Sequence, residues 1–101
     1  MSSEPKSLAA QIAADIGEAP WSALEPHAAR HALIRVAMDL SLAEVGLAIA
    51  EDRKAEVSAW LSSGLIGRPT TTDTERYAAR GGVFRFVIIQ PYVLFQERLD
   101  S

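Results

Sequence analysis

Apolar residues recur along the chain first at helical spacing and later at strand spacing. Leu8, Ile12 and Ile16 stand four apart with alanines between them, just after Ser7, a residue suited to an N-cap. This pattern predicts a first helix that Gly17 ends as its C′ residue. Asp15 and Glu18 sit at that end, where the helix dipole disfavours anions. Trp21 follows Pro20 and is expected in the core. Ser22 and Glu25 have capping-box spacing and predict a short helix over 22–31, with Pro26 in its first turn, where a missing N–H costs little. Residues 32–38 read as a strand with Ile34, Val36 and Met38 on one face, ended by Asp39.

Ser41 and Glu44 repeat the capping-box spacing, and Leu42, Val45 and Ile49 follow on one helical face. Asp52 is expected to cap the next helix. Val57, Trp60 and Leu61 would turn inward, and Gly64 would end it beneath Leu65 and Ile66. Residues 67–82 are rich in Gly, Pro, Thr and Arg and read as a long loop, in which Thr72 caps one or two turns from Asp73 to Ala79. Residues 83–89 form the strongest strand pattern. Gln90 and Pro91 interrupt it, since proline cannot donate to a ladder, and 92–96 continue extended. A short strand near 65–69 completes the set. Residues 1–6, small, polar and proline-containing, read as a disordered tail, which leaves 7–101 as a single domain.

These elements predict a small α+β, winged-helix-like domain with about four helices and a two- to three-stranded sheet. The carrying residues are Leu40 to Val45, then Glu56 to Arg68 with Trp60, Leu61 and Gly64-Leu65-Ile66. Their order resembles the helix pair and wing of a winged helix-turn-helix. A second resemblance spans about 20–97. It rests on Trp21 to His27, the helix from Leu42 to Asp52, Trp60 to Ile66, and Ile89 to Glu97 with Gln90-Pro91-Tyr92 inside it. Together these are similar to an uncharacterised bacterial family, the domain of unknown function 2288. That resemblance implies a small bacterial protein and brings no catalytic residues with it.

Charge refines the choice of partner. The chain of 101 residues carries a formal net charge of −3, so the whole is no basic nucleic-acid binder. The distribution is uneven: residues 1–52 sum to −5, residues 53–85 to +3 and the remainder to −1. With no cysteine there is no disulfide, thiol nucleophile or thiolate metal site, and packing alone must hold the fold. Apolar runs such as Phe86 to Ile89 fall far short of the ~20 residues of a membrane span, and the first residues lack the pattern of a signal peptide. A cytoplasmic protein without membrane partners is expected.

Candidate chemistry is sparse. His27 and His31 share a helical face if the helix reaches 31, with Glu25 or Asp39 as conceivable further ligands; two histidines alone do not make a metal site, and none is expected. Glu44, Glu51, Asp52 and Glu56 are accounted for as cap partners or polar-face residues. No serine stands in a nucleophile elbow and no glycine pattern cradles a phosphate. No catalytic residue and no cofactor are assigned, and the expected class is a non-enzymatic protein-interaction module.

The surplus of apolar residues in the last strands leaves two readings: both faces are covered, or one face or edge is used by a partner, which would make a homodimer contact through Phe84, Phe86, Tyr92 and Phe95, because an unpaired apolar edge invites a partner. The alternative is a nucleic-acid-binding winged-helix regulator. Arg53 and Lys54 open a helix where cations are disfavoured, and Arg68, Arg76 and Arg80 would lie in or near the wing.

Overall fold

The computed structural model describes residues 7–97, so the expected tail at 1–6 lies outside the described residues. Ten elements follow in order: α1 (Leu8–Asp15), β1 (Gly17–Pro20), α2 (Trp21–Ala29), β2 (Leu33–Val36), α3 (Leu42–Ala50), α4 (Lys54–Ser63), β3 (Ile66–Gly67), α5 (Thr71–Arg80), β4 (Val83–Ile89) and β5 (Tyr92–Glu97). One five-stranded sheet has the order β1-β4-β5-β2-β3. Its neighbours are antiparallel except β2 and β5, which run parallel with Leu33 opposite Val93 and Arg35 opposite Phe95. The β4–β5 hairpin turns through a cis Gln90–Pro91 bond. Among the described residues no helix is long and apolar enough to cross a membrane.

Val93 to Gln96 are all buried, so β5 has cover on both faces. On one face Ile12 of α1, Leu42 and Val45 of α3, and Val57 and Trp60 of α4 pack over Val36, Val87 and Leu94. On the other, Trp21 and Leu24 of α2 and Tyr77 of α5 pack over Leu33, Phe84, Val93 and Phe95. Here Trp21, Tyr77, Phe84 and Phe95 form an aromatic quartet with every ring centroid 5.1–6.1 Å from the others. Tilted and edge-on pairs of this kind add about 0.5–1.5 kcal/mol each beyond area burial. Gly46 lets α1 approach α3: a Cβ there would stand 3.1 Å from Ile12 Cγ2 and 3.3 Å from Ile89 Cδ1.

Several expectations hold. Ser7 and Ser41 cap α1 and α3 through their hydroxyls, which accept from Ala10 N–H and Glu44 N–H. Gly64 ends α4 at φ 80°, and Trp21 is core. Others need correction. Among the described residues there are five helices and five strands rather than about four and two or three. The loop expected at 67–82 contains α5, ten residues long and capped by Thr70, not Thr72. Thr70 Oγ1 accepts from Asp73 N–H while an Asp73 carboxylate oxygen accepts from Thr70 N–H. Its single buried residue, Tyr77, leaves no apolar stripe to read in the sequence.

Gly17 starts β1 instead of closing α1 in a left-handed turn. β1 is an edge strand, where Pro20 is tolerated. α2 begins at Trp21 and stops at Ala29, so Ser22 is no cap, Pro26 sits inside the helix, and His31 stands outside it at φ 59°. Asp52 also has φ 57°, and Arg53 takes the N-cap position of α4. β2 is shorter than 32–38, which leaves Met38 exposed. The stretch expected to form the wing, around Arg68 to Arg80, contains α5, which packs onto the sheet through Tyr77.

One buried polar side chain joins the layers. Gln96 is buried, and its Nε2 donates to Ala37 O at 2.9 Å and Leu40 O at 2.7 Å, which holds the link from β2 to α3 against β5. Replacing Gln96 by Leu removes both bonds, takes the side-chain donor from Leu40 O while Ala37 O keeps the Leu40 N–H, and is expected to lower the unfolding free energy by about 1–3 kcal/mol. Urea denaturation checks this, and a loss under about 0.5 kcal/mol, the scale of an ordinary surface substitution, would contradict it.

Candidate functional site

Two hollows adjoin at the end of the sheet where β2 begins and β4 turns into β5. One, of about 520 Å³, lies between the end of α2 and the hairpin turn, beside His27, Arg30, Ile88 and Pro91. The other, of about 490 Å³, lies between α4 and the β2–β3 edge, over Ile34, Ile49, Val57, Leu61 and Ile66. The first lies on the α2 face of the sheet with Ile88 and Val93, the second on the α4 face with Ile34 and Ile66, and His31 and Tyr92 line both where they meet at the sheet's end; the second is the candidate cleft.

Local backbone chemistry shapes its walls. His31 and Asp52, the two non-glycine residues with positive φ among the described residues, both line it. Each such conformation costs on the order of 1–3 kcal/mol and persists only where the surroundings impose it. At the end of α2, Arg30 Nη2 donates to His27 Nδ1 at 2.7 Å. At the start of α4, Arg53 Nε donates to Glu51 Oε1 at 2.9 Å and Nη1 to Glu56 Oε1 at 3.3 Å. These bonds to Glu51 and Glu56 raise the Arg53 pKa further above its ordinary value. Lys54 stands 3.9 Å from Asp52, both well exposed, a geometry that contributes little. Arg68, after β3, is exposed, and no ion pair or side-chain hydrogen bond engages it among the described residues.

The five cations proposed from the sequence therefore separate. Arg53, Lys54 and Arg68 line one cleft. Arg76 and Arg80 stand on α5, across the sheet, and meet Glu97: Arg76 at 3.4 Å, and Arg80 Nη1 donating to its Oε2 at 3.2 Å. They leave the expected wing because their segment is a helix bound to β5 rather than a loop.

The proposed interface residues also divide. Phe84 and Phe95 are 2% and 0% exposed in the aromatic quartet, and Phe86 is half-buried against it. Tyr92 alone is exposed, and it lines the cleft. β4 and β5 are interior strands: β1 pairs with β4 over Val83 to Phe86, and β2 with β5 over Val93 to Phe95. Helices cover both faces of these strands over Phe84, Val87, Val93, Leu94 and Phe95, while Val83, Ile88 and Tyr92 stay exposed.

His27 and His31 do not share a helical face, since α2 ends between them. Among the described residues no three His, Asp or Glu side chains gather at metal-binding range. Sequence reasoning missed the exposed apolar side chains of the two hollows, Leu61 and Ile88. Leu61 was expected inside; its 54% exposure on a helix with no buried residue was the signal available only from structure.

Residues 7–97 match the family described as "Protein of unknown function (DUF2288)". The fold is similar to the NMR solution structure of PA1075 from Pseudomonas aeruginosa, with a TM-score of 0.82 and 31% sequence identity over 99% of this chain and 93% of that one. No curated protein matches the sequence.

The cleft wall and the core should respond differently to truncation. Leu61→Ser is expected to change the unfolding free energy by less than about 0.5 kcal/mol, as at other exposed positions. Val45→Ala, at a fully buried site, should cost at least about 1 kcal/mol. Paired urea or thermal denaturation of the two variants checks this; an equal cost would place Leu61 in the core.

Proposed function

The chain belongs to the DUF2288 family of proteins of unknown function, and from that starting point we propose that it is a non-enzymatic protein-interaction module whose cleft takes an acidic, apolar segment of a partner protein. One observation carries the reading. In a chain of net charge −3, the side chains lining the cleft include three cations, Arg53, Lys54 and Arg68, against one carboxylate, Asp52. Beneath them lies an apolar floor of Ile34, Ile49, Val57 and Ile66, with Leu61 more than half exposed beside it.

Apolar anchors would gain about 25 cal/mol for each Å² removed from water. Acidic flanks would be drawn to the rim and could displace the exposed pairs that Arg53 and Lys54 make within the chain. Such a lining suits ion pairing better than acid–base exchange, which needs two titrating groups held in different environments.

A second reading, a nucleic-acid-binding regulator, draws on Arg53, Lys54 and Arg68 in the same cleft. Its weakness is that Arg76 and Arg80 point their charge at Glu97 on the opposite face, so few phosphates could be met at once. A second copy of the chain is a further possible occupant, because residues 1–52 carry a net −5.

One set of titrations separates these readings. Peptides with leucine or phenylalanine between aspartates and glutamates should bind saturably, and Arg68→Glu or Leu61→Glu should weaken binding at least about tenfold, the loss of roughly 1.4 kcal/mol. Mixed duplex DNA at low salt should not bind saturably. No peptide binding, or DNA binding that Arg53→Ala with Lys54→Ala abolishes, overturns the interaction-module reading. Self-association in sedimentation that Arg68→Glu abolishes makes the acidic partner a second copy.

A further inference from the structure

The hollow of about 520 Å³ on the α2 face of the sheet takes no part in the cleft and its partner. Its volume falls in the range of small-molecule sites. No Asp or Glu is among the residues that line it, and its one fixed charge is that of Arg30.

The fold leaves that charge unpaired. Arg30 is the C-cap of α2, where a cation suits the helix dipole, yet the carbonyls of the last turn take backbone donors. His27 O accepts from Arg30 N–H at 3.2 Å and from Ala32 N–H at 3.0 Å, and Ala28 O accepts from His31 N–H at 3.0 Å. The guanidinium turns instead to an imidazole, with Nη2 donating to His27 Nδ1 at 2.7 Å. Among the described residues no carboxylate pairs with it. A guanidinium only donates, so Nδ1 is the acceptor and His27 carries its proton on Nε2. His27 thus keeps no lone pair for a metal ion, and both side chains are donors.

The opposite wall is apolar. Ile88 alternates along β4 with Phe84 and Phe86, which pack in the aromatic cluster, but α2 stops at Ala29 and Ile88 stays 52% exposed. Tyr92 and Pro91 stand beside it at the hairpin turn. An exposed isoleucine alone needs no explanation. Facing an unpaired guanidinium across a hollow, it makes the second half of an amphipathic site.

We propose that this hollow binds an aromatic monocarboxylate. The carboxylate accepts from Arg30, and the ring lies against Ile88 and Tyr92. One unpaired cation matches one negative charge, and a flat ring suits the rings of Tyr92, His27 and His31. Arg53, Lys54 and Arg68 line the cleft and not this hollow, so the proposal does not depend on the partner proposed there.

The test uses phenylacetate, with phenylacetamide and acetate as comparisons at fixed ionic strength. The ring C–H signals of His27 and His31 and the methyl signals of Ile88 report in NMR spectra. Phenylacetate should shift them saturably at about millimolar concentration. Phenylacetamide, which keeps the ring without the charge, and acetate, which keeps the charge without the ring, should each bind at least about tenfold more weakly. Arg30→Gln should weaken phenylacetate about ten- to a hundredfold, the size of one hydrogen bond to a charged group. Arg68→Gln, in the cleft, should leave it unchanged. No saturable shift, phenylacetamide or acetate binding as well as phenylacetate, or an unchanged affinity in Arg30→Gln overturns the proposal. So does an equal loss in Arg68→Gln, which would put the ligand in the cleft.

Discussion

Burial of β5 on both faces is the constraint that organises the molecule. A strand whose successive residues Val93, Leu94, Phe95 and Gln96 all leave water cannot lie at the surface of a two-layer domain. It needs a strand on each side for its backbone and a layer of helices on each face for its side chains. β4 and β2 supply the first. α1, α3 and α4 cover one face, and α2 and α5 the other. The two core clusters differ in chemistry because the alternation of β5 sends Leu94 into an aliphatic layer and Phe95 into an aromatic one. Gln96, on the aliphatic side, is buried because it meets two carbonyls of the chain leaving β2.

The hollows follow from where this packing ends. Helices cover the middle of the sheet and leave gaps at its two ends. At one end the chain enters β2 from His31 and α4 from Asp52, both in left-handed conformations, and cations from three segments surround exposed apolar side chains. At the other end α5 lays Asp73, Arg76 and Tyr77 beside Arg35 and Glu97. Basic residues that are near in sequence are thus divided by the sheet, and the local excess of positive charge in residues 53–85 becomes two separate features rather than one patch.

Much of the fold was legible in the sequence where local signals were strong. Ser7, Ser41 and Gly64 announced helix ends through chemistry that acts within one turn, and the strands at 83–89 and 92–96 announced themselves by apolar content. Elements whose stability comes from distant partners were not legible. β1 is four residues with no apolar alternation, made a strand by pairing Gly17 to Pro20 with Val83 to Phe86. α5 buries only Tyr77, so its helix shows in the Thr70–Asp73 capping box and not in periodicity. For the sites, Arg53, Lys54 and Arg68 were visible as misplaced or loop cations. The separation of Arg76 and Arg80 from them, and the meeting of Arg30 with Ile88 in one hollow, are consequences of topology that a one-dimensional pattern does not carry. The apolar excess of β4 and β5 leaves both readings open, two covered faces or a partner on one of them, because nothing local distinguishes a strand covered twice from one covered once and paired with a second chain.

Native-state amide hydrogen exchange tests the central claim most directly, since protection reports how much of the fold must open to expose each backbone N–H. If β5 is the covered centre of the sheet, amides of Leu94, Phe95 and Gln96 should exchange only through global unfolding and be among the slowest in the protein. Those of the edge strands β1 and β3 should exchange much faster. Fast exchange along β5, at rates like those of β1, would mean that one face or one edge of this strand is open, and the account of the core would be wrong.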